Sequence, residues 1–254
     1  MIQSNSMEII TKDNFELKPN IFLLINKPEG WTSFDVVGYI RKIFRQKNPE
    51  LKKIRVGHAG TLDPFATGLL IVAVGREATC EIENFKNLPK VYIADIKLGE
   101  VSNTGDKSGN IEPYKPTGIN KLIINLKSKI LNKDFRTPDN FDIKKTLKKF
   151  IGPQHQVPPM FSAKKIDGQR LYKLARLGKK IKRKANKIEI FDLKLLDYQY
   201  PFLKIEVNCS PGTYIRTLAE DIGKKLGVGA YCQELKRTFI GSYNLNDAIE
   251  LPLK

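Results

Sequence analysis

The sequence predicts a fold that mixes α-helices and β-strands, and two patterns carry that prediction. Short apolar runs at residues 21–25 and 69–74 are typical of buried strands, and residues 91–99 alternate as a half-buried strand does. After Thr32 and Ser33, either of which can cap a helix, apolar residues recur at helical spacing as far as Phe44. Hydrophobic residues make up 41% of the 254 residues, so the composition is sufficient for a substantial core.

The second half of the chain continues to mix the two element types. Two adjacent strands are predicted at residues 188–196 and 202–209. Gly212 permits a tight turn, and Thr213 can cap a helix that ends at Gly227. A last strand is predicted at residues 232–241.

Three stretches are predicted to be irregular or peripheral. Residues 1–18 are expected to form a loosely attached N-terminal tail. Residues 152–160 contain three prolines and show no periodicity, which indicates a loop. Within residues 115–140 an amphipathic helix is expected near residues 119–130, followed by a loop.

The charge of the chain indicates a polyanionic partner. The formal net charge is +17, which favours nucleic acid over the less expected alternative of an anionic membrane. The three cysteines follow no metal or disulfide spacing, and two histidines provide few ligands for a metal site. The N-terminal residues lack the apolar core of a signal peptide, and no apolar run approaches membrane-spanning length. We therefore expect a cytoplasmic protein.

The stretch from Gly57 to Gly68 is the best candidate for a functional loop. It contains three glycines and a proline in twelve residues, so it cannot be regular secondary structure throughout. Asp63 precedes Pro64, which favours an extended backbone at the aspartate. The same pair can also begin a helix, with Asp63 as N-cap, although Gly68 and the β-branched run behind it weaken that alternative.

The whole Gly57–Gly68 string resembles the signature of the TruB-type tRNA pseudouridine(55) synthases, the family that converts uridine 55 of the T-loop to pseudouridine. The stretch Gly212-Thr213-Tyr214-Ile215-Arg216 resembles the second strong motif of the same family. The resemblance extends from residue 21 to residue 250 and is poorest at residues 115–140. Since two motifs so far apart match together, coincidence is a poor explanation.

The resemblance implies a fold and a domain organisation. The fold class is α+β, with a pseudouridine-synthase-like mixed, largely antiparallel sheet, flanking helices and a basic thumb-like insertion at about residues 152–187. Behind the N-terminal tail of residues 1–18, residues 19–254 are expected to form one catalytic domain, without the C-terminal RNA-binding domain that many relatives carry.

The resemblance also assigns three catalytic residues. Asp63 matches the nucleophile of the family, and Arg216 matches the arginine that pairs with it. A bidentate guanidinium keeps a partly buried carboxylate ionised and oriented. Tyr92 matches the tyrosine that stacks on the target uracil, and a flipped base needs an aromatic face to replace its lost neighbours.

Four more residues are expected to contact the nucleotide. His58, Tyr214 and Leu235 match substrate-contacting positions of the family, and Tyr92 contributes here as well. Asp106 lies in a polar loop that the family shares, where it either touches the substrate or orders the loop.

Two basic stretches are candidates for RNA contact. Between Lys164 and Lys187 there are eleven Lys or Arg residues and one acid, Asp167, and this region matches the mobile thumb of the family, which closes over the T-stem-loop. A solvent-exposed helix with no RNA role is the alternative. The expected RNA-binding residues are Lys164, Lys165, Arg170, Lys179, Lys180, Lys182 and Arg183. Cations from Arg41 to Arg55 form either an ordinary solvated surface or a second track for phosphates.

The implied reaction is isomerisation of uridine to its C-glycoside within tRNA, which imports no group and changes no oxidation state, so no cofactor and no metal are expected. Whether Asp63 attacks the uracil ring or the ribose stays open.

The expected partner is the T-arm stem-loop of tRNA, with no membrane, and the protein is expected to act as a monomer. A non-catalytic RNA-binding or tRNA-folding module on the same fold is the main alternative. An aspartate-nucleophile phosphotransferase would require a second aspartate nearby and a magnesium site.

Overall fold

The computed structural model describes residues 7–14, 18–49, 53–116, 137–166, 168–179 and 181–252. The helix expected near residues 119–130 lies outside these residues, and so does Lys180. The chain divides into two compact units: unit 1 comprises Met1–Tyr92 and Lys236–Lys254, and unit 2 comprises Ile93–Leu235. Both boundaries fall within a strand, because strand β5 spans Lys90–Leu98 and strand β13 spans Ala230–Ile240.

Unit 1 is built on two strands that are buried on both faces. Strands β2 (Ile21–Lys27) and β4 (Thr67–Val74) pair antiparallel, and β3 (Val56–His58) pairs antiparallel with β4. Short strands β1 (Ile9–Ile10) and β15 (Ile249–Glu250) lie parallel to β2, and β14 (Tyr243–Asn244) pairs with the end of β13. The apolar runs at residues 21–25 and 69–74 are therefore strands, as predicted.

The tail is more firmly attached than the sequence indicated. Ile10 is fully buried, and Ile9 and Ile10 pair with Phe22 and Leu23 of β2. The prediction of loose attachment is wrong for these residues, because two apolar side chains at a sheet edge gain burial and backbone hydrogen bonds together.

Helix α1 (Ser33–Lys47) packs its apolar face on one side of the β2–β4 layer. Thr32 is the N-cap and forms a capping box with Asp35: the Thr32 hydroxyl accepts from the Asp35 amide at 3.0 Å, and the Asp35 carboxylate accepts from the Thr32 amide at 2.8 Å. Short helices α2 (Arg76–Cys80) and α3 (Ile82–Lys86) lie in the other core cluster, and a 3₁₀ turn spans Leu245–Asp247.

Within the described residues, unit 2 contains an antiparallel sheet and three helices. Its strand order is β5, β12 (Phe202–Cys209), β11 (Asn186–Gln199) and β8 (Gly152–Gln156). Two small hairpins accompany it, β6 (Glu100–Ser102) with β7 (Ile111–Pro113) and β9 (Lys165–Ile166) with β10 (Gln169–Arg170). The helices are α4 (Asn140–Lys148), α5 (Leu171–Arg176) and α6 (Ile215–Leu226). The mixed class and the largely antiparallel sheet are confirmed.

Two local predictions in unit 2 are wrong. Residues 152–156 are an edge strand paired with residues 186–190 instead of a loop, and an edge position tolerates Pro153 because its missing amide can face outwards. Tyr214, not Thr213, is the N-cap of α6, since the Thr213 hydroxyl donates to the Ser210 carbonyl at 2.8 Å.

Candidate active site

The loop that carries Asp63 is held on both sides of the aspartate by one upstream segment. The Ser33 hydroxyl accepts from the Leu62 amide at 2.8 Å and donates to the Leu62 carbonyl at 3.2 Å. The Gly30 amide donates to the Pro64 carbonyl at 2.8 Å. No helix begins at Pro64, so the N-cap alternative for Asp63 is wrong. The loop therefore presents Asp63 from a fixed backbone.

Lys27 is a further support that the sequence did not reveal. Its side chain is fully buried, and its ammonium donates to the carbonyls of Trp31 at 2.6 Å, Pro28 at 2.8 Å and Pro64 at 3.3 Å. Burial lowers the pKa of Lys27 to about 8, although the negative charge of Asp63 acts in the opposite direction. The charges of Lys27 and Asp63 therefore attract each other.

Arg237 ties together the two ends of the same loop. The guanidinium is 1% exposed and donates from Nε to the Leu69 carbonyl at 2.8 Å and from Nη2 to the Gly60 carbonyl at 3.2 Å. Strand β13 lies so near that a Cβ on Gly68 would stand 2.3 Å from the Arg237 carbonyl oxygen, which explains the glycine there. The one signal for Arg237 in the sequence is that a charged residue lies within the strand predicted at residues 232–241.

His58 is neutral in this environment. It ends β3, and burial together with the positive charges of Arg237 and Lys86 lowers its pKa to about 4. Its Nδ1 is buried and finds no hydrogen-bond partner among the described residues. A neutral imidazole with an available nitrogen suits a substrate contact better than proton transfer near pH 7.

Arg216 is the centre of the candidate site in unit 2. It lies in the first turn of α6 and is 3% exposed. Its guanidinium donates to the carbonyls of Phe161 at 2.6 Å and Thr104 at 2.7 Å, and Nη1 lies 3.2 Å from the Asp106 carboxylate. These contacts fix the plane of the guanidinium.

Asp106 orders the loop in which it lies. It is buried, and its Oδ1 accepts from the Thr104 hydroxyl at 2.8 Å and from the Ser108 amide at 2.9 Å. Of the two roles considered for Asp106, the structure shows loop ordering, together with the ion pair to Arg216 that the sequence did not predict.

The backbone of Tyr214 is fixed by a residue that the sequence analysis did not single out. The Tyr214 amide donates to Gln156 Oε1 at 2.7 Å, and Gln156 Nε2 donates to the Tyr214 carbonyl at 3.0 Å. Gln156 is the last residue of β8, so the edge strand positions the residue that precedes α6.

Glu220 follows Arg216 by one helical turn and has a perturbed acidity. Burial and the neighbouring Asp221 raise the pKa of Glu220 to about 7, against the opposing charges of Arg216 and Arg183. Its carboxylate lies close to Gly105, where a Cβ would stand 2.5 Å from Oε1. The sequence carried no signal for this shift, because it depends on burial by a distant loop.

The remaining nucleotide-contact candidates are buried in strands. Tyr92 in β5 is 9% exposed, and Leu235 in β13 is 7% exposed. Asp63 belongs to unit 1 and Arg216 to unit 2, and their pairing stays a prediction.

The candidate RNA-binding residues divide into two groups. Lys164 and Arg183 have structural partners: Lys164 donates to the Asn186 side chain at 2.5 Å, and Arg183 donates to the Pro158 carbonyl at 2.8 Å. Lys165, Arg170, Lys179 and Lys182 are exposed. The exposed group is the better candidate for phosphate contact.

Within the described ranges, no cluster of three or more His, Cys, Asp or Glu side chains could hold a metal ion. In the same part of the chain, none of the helices combines the length and the apolar character that crossing a bilayer requires.

Comparison with known proteins agrees with the motifs. Residues 41–215 match the family model for the TruB family pseudouridylate synthase N-terminal domain, and residues 216–252 match the tRNA pseudouridylate synthase B C-terminal domain. The chain is 44% identical over 225 residues to tRNA pseudouridine synthase B of Parabacteroides distasonis, covering 88% of this chain and 87% of that protein. It is 42% identical over 229 residues to the protein of the same name from Bacteroides fragilis, covering 90% and 89%.

Comparison with solved structures identifies chains with the same fold. A Cbf5-Nop10-Gar1 complex contains a chain that is 26% identical, with a TM-score of 0.61 over 91% of this chain and 52% of that chain. An H/ACA RNP bound to a substrate RNA contains one that is 23% identical, with a TM-score of 0.59 over 91% and 50%. This chain spans about half the length of those two chains. The expected pseudouridine-synthase-like fold is confirmed, and the chain belongs to the TruB family of pseudouridylate synthases.

Proposed function

We propose that this chain isomerises uridine 55 in the T-loop of tRNA to pseudouridine, with Asp63 as the nucleophile. Family membership supports the reaction class, and relatives 42–44% identical are named tRNA pseudouridine synthase B. The observation that carries the residue assignment is the bracing of the Asp63 loop by Ser33, Lys27 and Arg237. Such support is expected where a side chain must meet a reacting atom accurately.

The reaction needs only a carboxylate and a rotating base. In the proposed sequence Asp63 forms a bond to the ring or to the ribose, and the bond between C1′ and N1 of the uracil breaks. The base turns, C5 bonds to C1′, and the bond to Asp63 breaks, which frees the carboxylate. The proton displaced from C5 leaves while N1 gains one. The positive charge of Lys27 attracts the negative charge of Asp63 in this site.

We assign Arg216 to hold the Asp63 carboxylate and Tyr92 to stack on the extruded uracil. A uracil that leaves its stack in the RNA loses contact with the neighbouring bases. The ring of Tyr92 and the apolar side chain of Leu235 compensate for that loss. His58 and Tyr214 contact the nucleotide. Asp106 acts through Arg216, because their ion pair and the ordered loop fix the guanidinium.

The exposed cations of residues 164–184 bind the T-arm phosphates in this proposal. The net charge of +17 supports a polyanionic substrate, and binding through phosphates releases counterions and therefore weakens with salt. In this proposal the protein acts on tRNA in the cytoplasm, and it does so as a monomer.

The test is release of tritium from tRNA that carries uridine labelled at C5. Wild-type protein is expected to release one equivalent and to leave pseudouridine at position 55, whereas tRNA with cytidine at that position releases none. Asp63→Asn is expected to abolish release while tRNA binding stays within about twofold, since a neutral isostere keeps the loop but not the nucleophile. Turnover near wild type in Asp63→Asn would reject the assignment, and tight tRNA binding without release by the wild type would favour a non-catalytic RNA-binding module.

A further inference from the structure

We propose that the outer face of α1 is a second RNA-binding surface, which holds the sugar-phosphate backbone of the substrate beyond the loop that carries Asp63. The surface, called here the α1 groove, consists of Phe34, Gly38, Arg41, Lys42 and Arg45. The identification of the RNA as tRNA rests on the proposed function, but the surface itself rests on the geometry of unit 1.

These five residues share one side of the helix. At 100° per residue they fall within a single arc, opposite the buried face formed by Val36, Val37, Ile40 and Phe44. Around the cationic end lies an open concavity of about 400 Å³, lined by Gly38, Arg41, Lys42, Arg45 and Gln46. The core uses the apolar face of the helix, so the groove is on the opposite, solvent-facing side.

Gly38 keeps the groove open at a cost in helix stability. A glycine within a helix is unfavourable compared with alanine, and it is usually explained by close packing. A Cβ at Gly38 would meet nothing within 4 Å, so packing does not require the glycine here. A missing side chain at the floor of a cationic concavity leaves room for an approaching ligand.

The cations of the groove are available to a ligand. Among the described residues no carboxylate forms an ion pair with Arg41, Lys42 or Arg45, and the acid in the first turn of α1, Asp35, bonds Thr32 instead. Arg41 makes one long bond, 3.4 Å from Nη2 to the Val56 carbonyl, which leaves the other donors of its guanidinium to a ligand. Two guanidinium groups and an ammonium match phosphate oxygens in charge and geometry.

Two features favour RNA over an acidic protein. Phe34 is 68% exposed at the beginning of the groove and offers an aromatic face on which a base can stack. The next residue back, Ser33, holds Leu62 beside Asp63, so the groove begins at the active-site loop and runs away from it for roughly 16 Å at 1.5 Å per residue. A strand that places a nucleotide at Asp63 would continue along this face.

A triple substitution with a matched control tests the proposal. Arg41→Gln/Lys42→Gln/Arg45→Gln removes three charges from the α1 groove, and Lys144→Gln/Lys145→Gln/Lys148→Gln removes three exposed charges at the same spacing from α4. Binding of a tRNA transcript is titrated over a range of salt. The groove variant is expected to bind at least tenfold more weakly in low salt, with a slope of log K against log salt shallower by about 2. The α4 variant is expected to stay within about twofold of wild type.

A pair of substitutions at Gly38 tests the groove without removing any of its three cations. Gly38→Glu places a carboxylate in the groove, whereas Gly38→Gln adds a neutral side chain of the same size. The glutamate is expected to weaken tRNA binding about tenfold relative to the glutamine, with equal single-turnover rates at saturating tRNA. Equal affinities for the two Gly38 variants, or a groove variant that behaves like the α4 variant, would overturn the proposal.

The same measurements separate this inference from the proposed function. If wild-type protein forms no pseudouridine but the groove variant loses tRNA binding, the groove stands and the proposed reaction fails. If pseudouridine forms normally and the groove variant binds tRNA as wild type does, the reaction stands and the groove fails.

Discussion

The backbone around Asp63 is fixed by side chains that come from elsewhere in the sequence. Ser33 holds Leu62, Lys27 reaches the Pro64 carbonyl, and Arg237 bonds Gly60 and Leu69. The motif around Asp63 is visible in the sequence because its residues are contiguous. The supporting bonds are not visible, because a donor that meets a carbonyl across the fold has no local pattern.

The substitution Arg237→Lys tests the clamp on the loop. A lysine keeps the charge but has no planar fork, so it cannot bond Leu69 and Gly60 in the same way. We expect about 1–3 kcal/mol lower stability and at least a tenfold slower single-turnover rate, with tRNA affinity within about twofold. Rates at saturating tRNA and urea unfolding measure these effects.

The exposed neighbour provides the control for that experiment. Lys236→Arg makes the reverse exchange on the solvent side of β13 and is expected to alter neither stability nor rate. A wild-type rate in Arg237→Lys would show that the loop does not depend on the guanidinium.

The pKa of Lys27 predicts a pH dependence of stability with a definite sign. The pKa is about 8 in the folded protein and near 10.5 in the unfolded chain, so between these values the unfolded state binds more protons. Stability contributed by Lys27 therefore increases with pH across this window and is constant below pH 8. The span is about 3 kcal/mol at about 1.4 kcal/mol per pKa unit.

Comparison with Lys27→Met isolates this contribution from other groups that titrate in alkali. Urea unfolding of both proteins at pH 7.5, 9 and 10.5 gives the difference in free energy of unfolding at each pH. The difference should move in favour of wild type as pH rises. A difference that stays constant from pH 7.5 to 10.5 would show that folding does not lower the pKa of Lys27.

Individual elements were predictable where their side chains alternate or recur locally. Strands β2 and β4 bury the continuous apolar runs that predicted them, and helix α1 buries Val36, Val37, Ile40 and Phe44 at helical spacing. Strand β8 was missed because Pro153 and the prolines behind it suggested a loop, and its pairing with β11 depends on residues far along the chain. The wrong cap at Thr213 has the same origin, since its hydroxyl found the Ser210 carbonyl instead.

Two helical glycines predict opposite effects on stability. A Cβ at Gly38 in α1 meets nothing within 4 Å, whereas a Cβ at Gly223 in α6 would stand 2.4 Å from the Ala230 backbone nitrogen and Cβ. Gly38→Ala should therefore stabilise the protein by about 0.5–1 kcal/mol, and Gly223→Ala should destabilise it by about 1–3 kcal/mol. Urea unfolding of both variants checks the pair, and a stabilising Gly223→Ala would show that α6 does not pack closely on residue 230.

The whole molecule carries a net charge of +17, and the structure separates cations that bond to the fold from cations that face solvent. Composition predicted a polyanionic partner, but it could not separate cations that hold the fold from cations that face solvent. Lys164 and Arg183 hold the fold through Asn186 and Pro158, whereas the other described cations of the thumb-like region are exposed.

Neutralising four of these exposed cations therefore tests RNA binding without loss of structural bonds. The variant changes each to glutamine at Lys165, Arg170, Lys179 and Lys182. We expect weaker tRNA binding and a salt slope shallower by about 3, because each lost phosphate contact removes roughly 0.7–0.9 from the slope. Melting temperature should change little, since these side chains are on the surface.

A control of equal charge decides whether position matters. Four exposed lysines at the end of α4 and just beyond it, Lys144, Lys145, Lys148 and Lys149, are changed to glutamine in a separate protein. If the net charge alone attracted tRNA, both variants would lose affinity and salt dependence to the same extent. A larger effect for the thumb-like region is expected, because only phosphates in direct contact release counterions. Equal slopes in the two variants would place the RNA on another surface.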